Sequence, residues 1–231
     1  MYMNDFAEFE TAIGISFKNK TLLKQAFVHR SYLNENRGLN IEHNERLEFL
    51  GDAVLELVVT HFLFTKFPDK PEGELTAFRS ALVNTITLSS VASSLHMGDY
   101  LLLSKGEAKD TGRARQYILA NTFEALIGAL YLDQGYDAAK GFIETNIFPL
   151  IDEIVEKRLW RDHKSFFQEK AQEKVSITPS YETLSEEGPD HDRIFTIGVY
   201  LRKEKVAEGK GQSKQEAEQD AAERAIEAKG W

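Results

Sequence analysis

The sequence predicts a two-domain chain: an all-α domain over residues 1–155, a linker over 156–162, and a small α+β domain over 163–231 in the order α-β-β-β-α. Three observations predict it. Up to about residue 160 the apolar residues recur at helical spacing. After 162 the period falls to two, as in half-buried strands. The chain then closes on an alanine-rich amphipathic stretch. A length of 231 residues suits two domains of ordinary size, and 42% hydrophobic content excludes a disordered or fibrous chain.

Taken in order, segments 21–33, 44–66, 74–95, 115–133 and 136–160 each carry a helical apolar pattern. Pro68 and Pro71 separate the second from the third, and the loop KGEAKDTG at 105–112 separates the third from the fourth. The linker stretch EKRLWRDHK lacks the Gly/Ser content of a flexible tether. A helix over 163–174 is followed by a strand at 181–184, and then by RIFTIGVYL, where Phe195, Ile197, Val199 and Leu201 alternate with residues facing the other way. A shorter strand is expected around Val206. In the last segment, SKQEAEQDAAERAIEA, Ala217, Ala221 and Ala225 recur every four residues, with Ala222 and Ile226 beside them. Ser213 with Glu216 three positions on makes a capping box for that helix.

There is no cysteine, so disulfides and thiolate metal sites are excluded. The N-terminus lacks the basic start and apolar run of a signal peptide, and no apolar run approaches the roughly 20 residues of a membrane span. A soluble cytoplasmic protein is expected. The net charge is −9, and residues 162–231 alone hold 11 basic and 15 acidic residues. A polyanionic partner would therefore have to be met by local basic patches or by bound cations.

Within 45–64 the apolar residues Leu47, Phe49, Leu50, Val54, Leu55, Leu57, Val58, Phe62 and Leu63 cover most of the helix circumference, which predicts burial on most sides. Glu45, Glu48, Asp52 and Glu56, spaced by three, four and four, form one acidic stripe through it. Like charges at that spacing repel, and Arg46, the only nearby cation in sequence, points elsewhere. A solvated acidic stripe is one reading; a divalent cation held by the carboxylates is the other. The stretch YILANTFEALIGALYLD favours the second, because it is again apolar nearly all round and is interrupted by Asn121, Thr122 and Glu124. Mid-helix glycines Gly51 and Gly128 predict a close approach of these two helices. The chain contains no Glu-x-x-His, so a di-iron carboxylate bundle is excluded. Hard Mg²⁺, with Mn²⁺ as a substitute, suits such oxygen ligands, and its usual substrate is a phosphate ester.

HNERLEFLGDAVLEL at 43–57 resembles the signature of the ribonuclease III family, and YILANTFEALIGALYLD resembles that family's second acidic helix. DHKSFFQEKAQE, PSYE, GPDH and GKGQSKQEAEQDAAERAIE resemble the double-stranded RNA-binding domain that follows in bacterial members. The resemblance implies a homodimeric, double-strand-specific endoribonuclease that leaves 5′-phosphate and 3′-hydroxyl ends, with roles in ribosomal precursor processing and messenger turnover and no nucleotide cofactor. It also implies metal ligands and catalytic acids at Glu48, Asp52 and Glu124, further acids of the active-site valley at Glu45 and Glu72, and a dimer-seam aromatic at Phe49. RNA contacts fall by the same resemblance on Gln168, Glu169, His191, Lys210, Ser213 and Lys214. The family commonly has Asp where this chain has Asn121, a ligand with an oxygen but no charge. The alternative this leaves is a double-stranded RNA-binding protein with weak or lost cleavage.

Overall fold

The computed structural model describes residues 6–157, 160, 162–189 and 193–231. The chain divides into two compact units, Met1–Trp160 and Arg161–Trp231.

Among its described residues the first unit contains helices α1 (Phe6–Ile13), α2 (Lys20–Ala26), α3 (Arg30–Glu35), α4 (Glu45–Lys66), α5 (Glu72–Val83), α6 (Thr85–Ser94), α7 (Arg113–Gln134), α8 (Tyr136–Asn146) and α9 (Leu150–Glu156). Three of the five segments predicted as single helices are each two. Between α2 and α3 the backbone of Phe27 and His29 is bonded to Leu102, and the His29 ring then caps α3 at the Ser31 N–H. At Asn84 the chain is extended, and the Asn84 side chain accepts from Thr87 N at 2.9 Å to start α6. Pro149, which has no N–H to donate, sits between α8 and α9. Helix α1 adds Phe9, fully buried against Phe27 at a ring separation of 5.1 Å.

Helix α7 is buried from Ile118 to Leu130 except at Asn121 and Glu124. Helix α4 crosses it at the two predicted glycines. A Cβ on Gly51 would lie 1.8 Å from the Glu124 carbonyl oxygen, and one on Gly128 would lie 2.1 Å from that of Leu47. Burial of α4 on most sides is not what the structure has. Phe49 is 81% exposed, and Leu57 and Phe64 are also open, so this face of α4 is not covered by the described residues.

The second unit contains α10 (His163–Val175), the antiparallel strands β1 (Ser180–Glu187), β2 (Ile194–Leu201) and β3 (Glu204–Gly211) in the order β1-β2-β3, and α11 (Lys214–Lys229). Its core joins Phe167, Val199 and Leu201 to the alanine stripe of α11, with Trp231 stacked on Phe167 at 5.4 Å. Alanines let α11 lie flat on the sheet. Gly209 permits the closest contact, since a Cβ there would meet Ala221 N at 2.1 Å. Strand β3 is as long as its neighbours and not shorter; at the sheet edge its polar side chains face solvent, so apolar alternation does not mark its extent.

Candidate active site

The α4–α7 crossing sets the site. On α4, Glu45 and Asp52 are exposed and Glu48 is half-buried; on α7, Asn121 and Glu124 are half-buried. With glycine at the crossing, the α4 acids and Glu124 are near enough to act on one another. Burial, then repulsion from Asp52, Glu48 and Glu56, pushes the Glu124 carboxyl up to about 8. Glu48 is also raised, first by burial and then by Glu45, with a hydrogen bond from Asn121 working against the rise. Both shifts have the sign that burial and neighbouring like charges give a carboxyl group.

The ends of the acidic stripe are neutralised by residues remote in sequence. Arg79 of α5 lies 3.0 Å from Glu56, and Arg30 of α3 lies 3.7 Å from Glu45. Arg46 is thus not the only cation at hand; the two partners come from other helices, where no sequence spacing reveals them. Among the described residues no cation is paired with the middle of the stripe, Glu48 and Asp52, which acts on Glu124.

All four donors that could hold a metal here, Glu48, Asp52, Asn121 and Glu124, present oxygen, which fits a hard divalent cation. Among the described residues no three acidic or histidine side chains already converge into a cage. Mutual repulsion would hold such carboxylates apart. Glu72 stands aside from this group: it opens α5, accepts from Thr76 at 2.9 Å and lines a hollow of about 400 Å³ with Thr60, Phe64 and Arg79. Phe49 faces away from the core, beside Leu50 and Leu132.

The raised Glu124 carboxyl makes the metal-free fold pH-sensitive. In the unfolded chain this group ionises near 4.5, and in the folded chain near 8. Its favourable contribution is therefore full below about pH 4.5 and is lost as pH rises through 8. Discounted for partial exposure, the loss is on the order of 2 kcal/mol. In EDTA, Tm should fall from pH 5 to pH 8.5 in the wild type and fall less in Glu124→Gln; parallel curves would contradict this.

In the second unit Gln168 and Glu169 are exposed on α10 and line a hollow with Ser165, Gln172 and Glu173. Ser213 caps α11, accepting from Glu216 N at 3.2 Å, while the Glu216 carboxylate accepts from Gln212 N at 3.0 Å. Lys210 and Lys214 are exposed on either side of this cap. The acids that follow are occupied within the unit: Asp220 accepts from Lys210 N and Arg224, and Glu218 pairs with Lys164 at 2.6 Å. His191 lies outside the described residues.

Two family models match the chain, a ribonuclease-III-like model over residues 19–151 and a double-stranded RNA binding motif over 163–229. Ribonuclease 3 of Enterococcus faecalis is 49% identical over 221 residues, which cover 96% of each chain. That of Geobacillus kaustophilus is 50% identical over 222 residues, covering 96% of this chain and 90% of the relative. Among solved structures, the nuclease domain of ribonuclease III from Campylobacter jejuni, described for flexibility in a region involved in dimer formation, is 41% identical with a TM-score of 0.56. It covers 63% of this chain and 99% of that one.

Proposed function

The chain belongs to the ribonuclease III family, and on that premise we propose how its two units cut double-stranded RNA. It is an endoribonuclease, with a helical nuclease domain followed by a double-stranded RNA-binding domain. Under this proposal the nuclease domain spans 1–155, the linker 156–162 and the RNA-binding domain 163–231. The observation that carries the reading is Glu124: a half-buried carboxyl pushed up to about 8 by burial and by the acids of the facing helix.

In this reading Glu48, Asp52, Glu124 and the Asn121 side-chain oxygen hold Mg²⁺, or Mn²⁺ in its place. When bound, the ion supplies charge stabilisation and an acidified water. The Asp52 and Glu124 carboxylates orient the attacking water and take its proton. Water oxygen bonds to phosphorus, the bond from phosphorus to the 3′ oxygen breaks, and that oxygen takes a proton from solvent water as it leaves. The ends are 5′-phosphate and 3′-hydroxyl. Glu45 and Glu72 line the valley around the scissile strand.

A second copy covers the exposed α4 face of Phe49, Leu57 and Phe64, because several large apolar side chains left open on one helix mark an association surface. Two sites across that homodimer leave short 3′ overhangs. Gln168, Glu169 and His191 contact the duplex minor groove. Lys210, Lys214 and the Ser213-capped N-terminus of α11 meet phosphate, so that A-form shape is read rather than sequence. Among the described residues no helix is long and apolar enough to cross a membrane. We place the enzyme in the cytoplasm, acting on ribosomal precursors and messengers.

The test is a Mg²⁺ titration on one defined duplex. Cleavage should appear with Mg²⁺, vanish in EDTA and spare the single strand; equal cleavage in EDTA would sink the mechanism. Asn121→Asp adds one ligand charge, so half-maximal cleavage should need less Mg²⁺, on the order of tenfold.

A further inference from the structure

Glu186 of β1 stands opposite Phe195 of β2, on the same face of the sheet. From there its carboxylate reaches two cations, Lys214 Nζ at 3.0 Å and Arg193 Nη1 at 3.4 Å. The Lys214 ammonium also lies 5.5 Å from the centroid of the Phe195 ring. The lysine in the first turn of α11 is therefore held by an acid and a ring of its own domain. Lys210 differs: among the described residues no carboxylate is paired with its ammonium.

A carboxylate offers an ammonium group the same charge sign and the same oxygen acceptors as a phosphate. Glu186 thus sits on Lys214 where a backbone phosphate of the duplex would sit, and Lys214 can serve only one of them fully. We propose that Glu186 is an internal competitor of RNA phosphate for Lys214 and sets the affinity of the RNA-binding domain. The inference rests on the reading of Lys214 as a phosphate contact.

Its size is bounded by the strength of an exposed ion pair. Releasing Lys214 from Glu186 is worth at most about fivefold in a binding constant. Because one further cation becomes available to phosphate, the slope of log affinity against log salt should steepen by up to about 1, and the gain should be largest at low salt.

The experiment measures binding of the full chain, in EDTA, to a duplex longer than the roughly 16 base pairs one such domain spans. It compares wild type with Glu186→Gln, Glu186→Ala, Glu187→Gln, Lys214→Gln and the double variant Glu186→Gln/Lys214→Gln. Glu187 is the control: an exposed carboxylate next in the same strand, with no contact to Lys214 among the described residues. Both Glu186 variants should tighten binding about two- to fivefold at low salt. Glu187→Gln should do less, and the double variant should show no gain over Lys214→Gln. Unchanged or weaker binding in Glu186→Gln, or an equal gain in Glu187→Gln, overturns the proposal. If Lys214→Gln leaves affinity unchanged, the phosphate-contact reading itself fails. If Lys214→Gln weakens binding while Glu186→Gln does not tighten it, only the competition fails.

Discussion

Glu124→Gln should lower the rate of duplex cleavage by about 10²–10⁴-fold, the range that a positioned acid–base group supplies, while leaving duplex affinity unchanged. The substitution keeps the shape of the side chain and removes its charge and its capacity to take a proton. Glu124 sits between buried residues of α7 and faces the acids of α4. The RNA-binding domain is a separate unit with its own core, which is why affinity should survive. In EDTA above neutral pH the same variant should be more stable than the wild type, because a carboxyl raised to about 8 favours the metal-free fold less with each step up in pH. A protein that is both more stable and far slower cannot be explained by misfolding. Single-turnover cleavage, duplex binding and a melting curve on one preparation separate these effects. A cleavage rate within about threefold of wild type would remove Glu124 from the chemistry.

The α4–α7 pairing is legible in the sequence for a specific reason. Two helices apolar nearly all round have few places in a domain except against one another, and a glycine in each marks where their backbones meet. Helix breaks are less legible: the pattern of apolar residues runs on through Phe27, Asn84 and Pro149, and it does not show the backbone bonds to distant Leu102 at the first, the Asn84 cap at the second or the missing N–H of Pro149 at the third. The acidic stripe shows the same division. Its spacing is a local property and can be read from four residues. Its neutralisation by Arg30 and Arg79 depends on where α3 and α5 pack, which no spacing carries. The open face of α4 misleads in the opposite direction, since Phe49, Leu57 and Phe64 look like core in a sequence that does not say whether the core lies within one chain. In the RNA-binding domain the lysines beside Ser213 are visible as candidates, but Glu186, the acid that holds Lys214, comes from a strand almost thirty residues earlier.

Gly51→Ala should be the most damaging single-methyl change in the nuclease domain. The added Cβ would lie 1.8 Å from the Glu124 carbonyl oxygen, 2.6 Å from its carbon and 2.8 Å from Gly128 N. All three obstacles are backbone, so no rotamer change relieves them, and α4 must move away from α7. Overpacking of a core ordinarily costs about 1–3 kcal/mol. A rigid backbone obstacle puts this variant at or above the top of that range, against the roughly 1 kcal/mol that alanine gains over glycine in a helix. Gly128→Ala meets Leu47 O at 2.1 Å and should behave alike. The damage should also reach catalysis, because the obstructed carbonyls belong to Glu124 and to Leu47, the neighbour of Glu48. Separating the helices pulls the two sides of the acid cluster apart, so cleavage should need more Mg²⁺ even where the protein remains folded. Gly141→Ala supplies the contrast: it lies in α8 with nothing within 4 Å of the added Cβ, and alanine there should stabilise by up to about 1 kcal/mol. Denaturant unfolding of the three variants checks the order. Gly51→Ala within about 0.5 kcal/mol of wild type would mean that the helices can separate freely, and the account of why glycine stands behind Glu124 would be wrong.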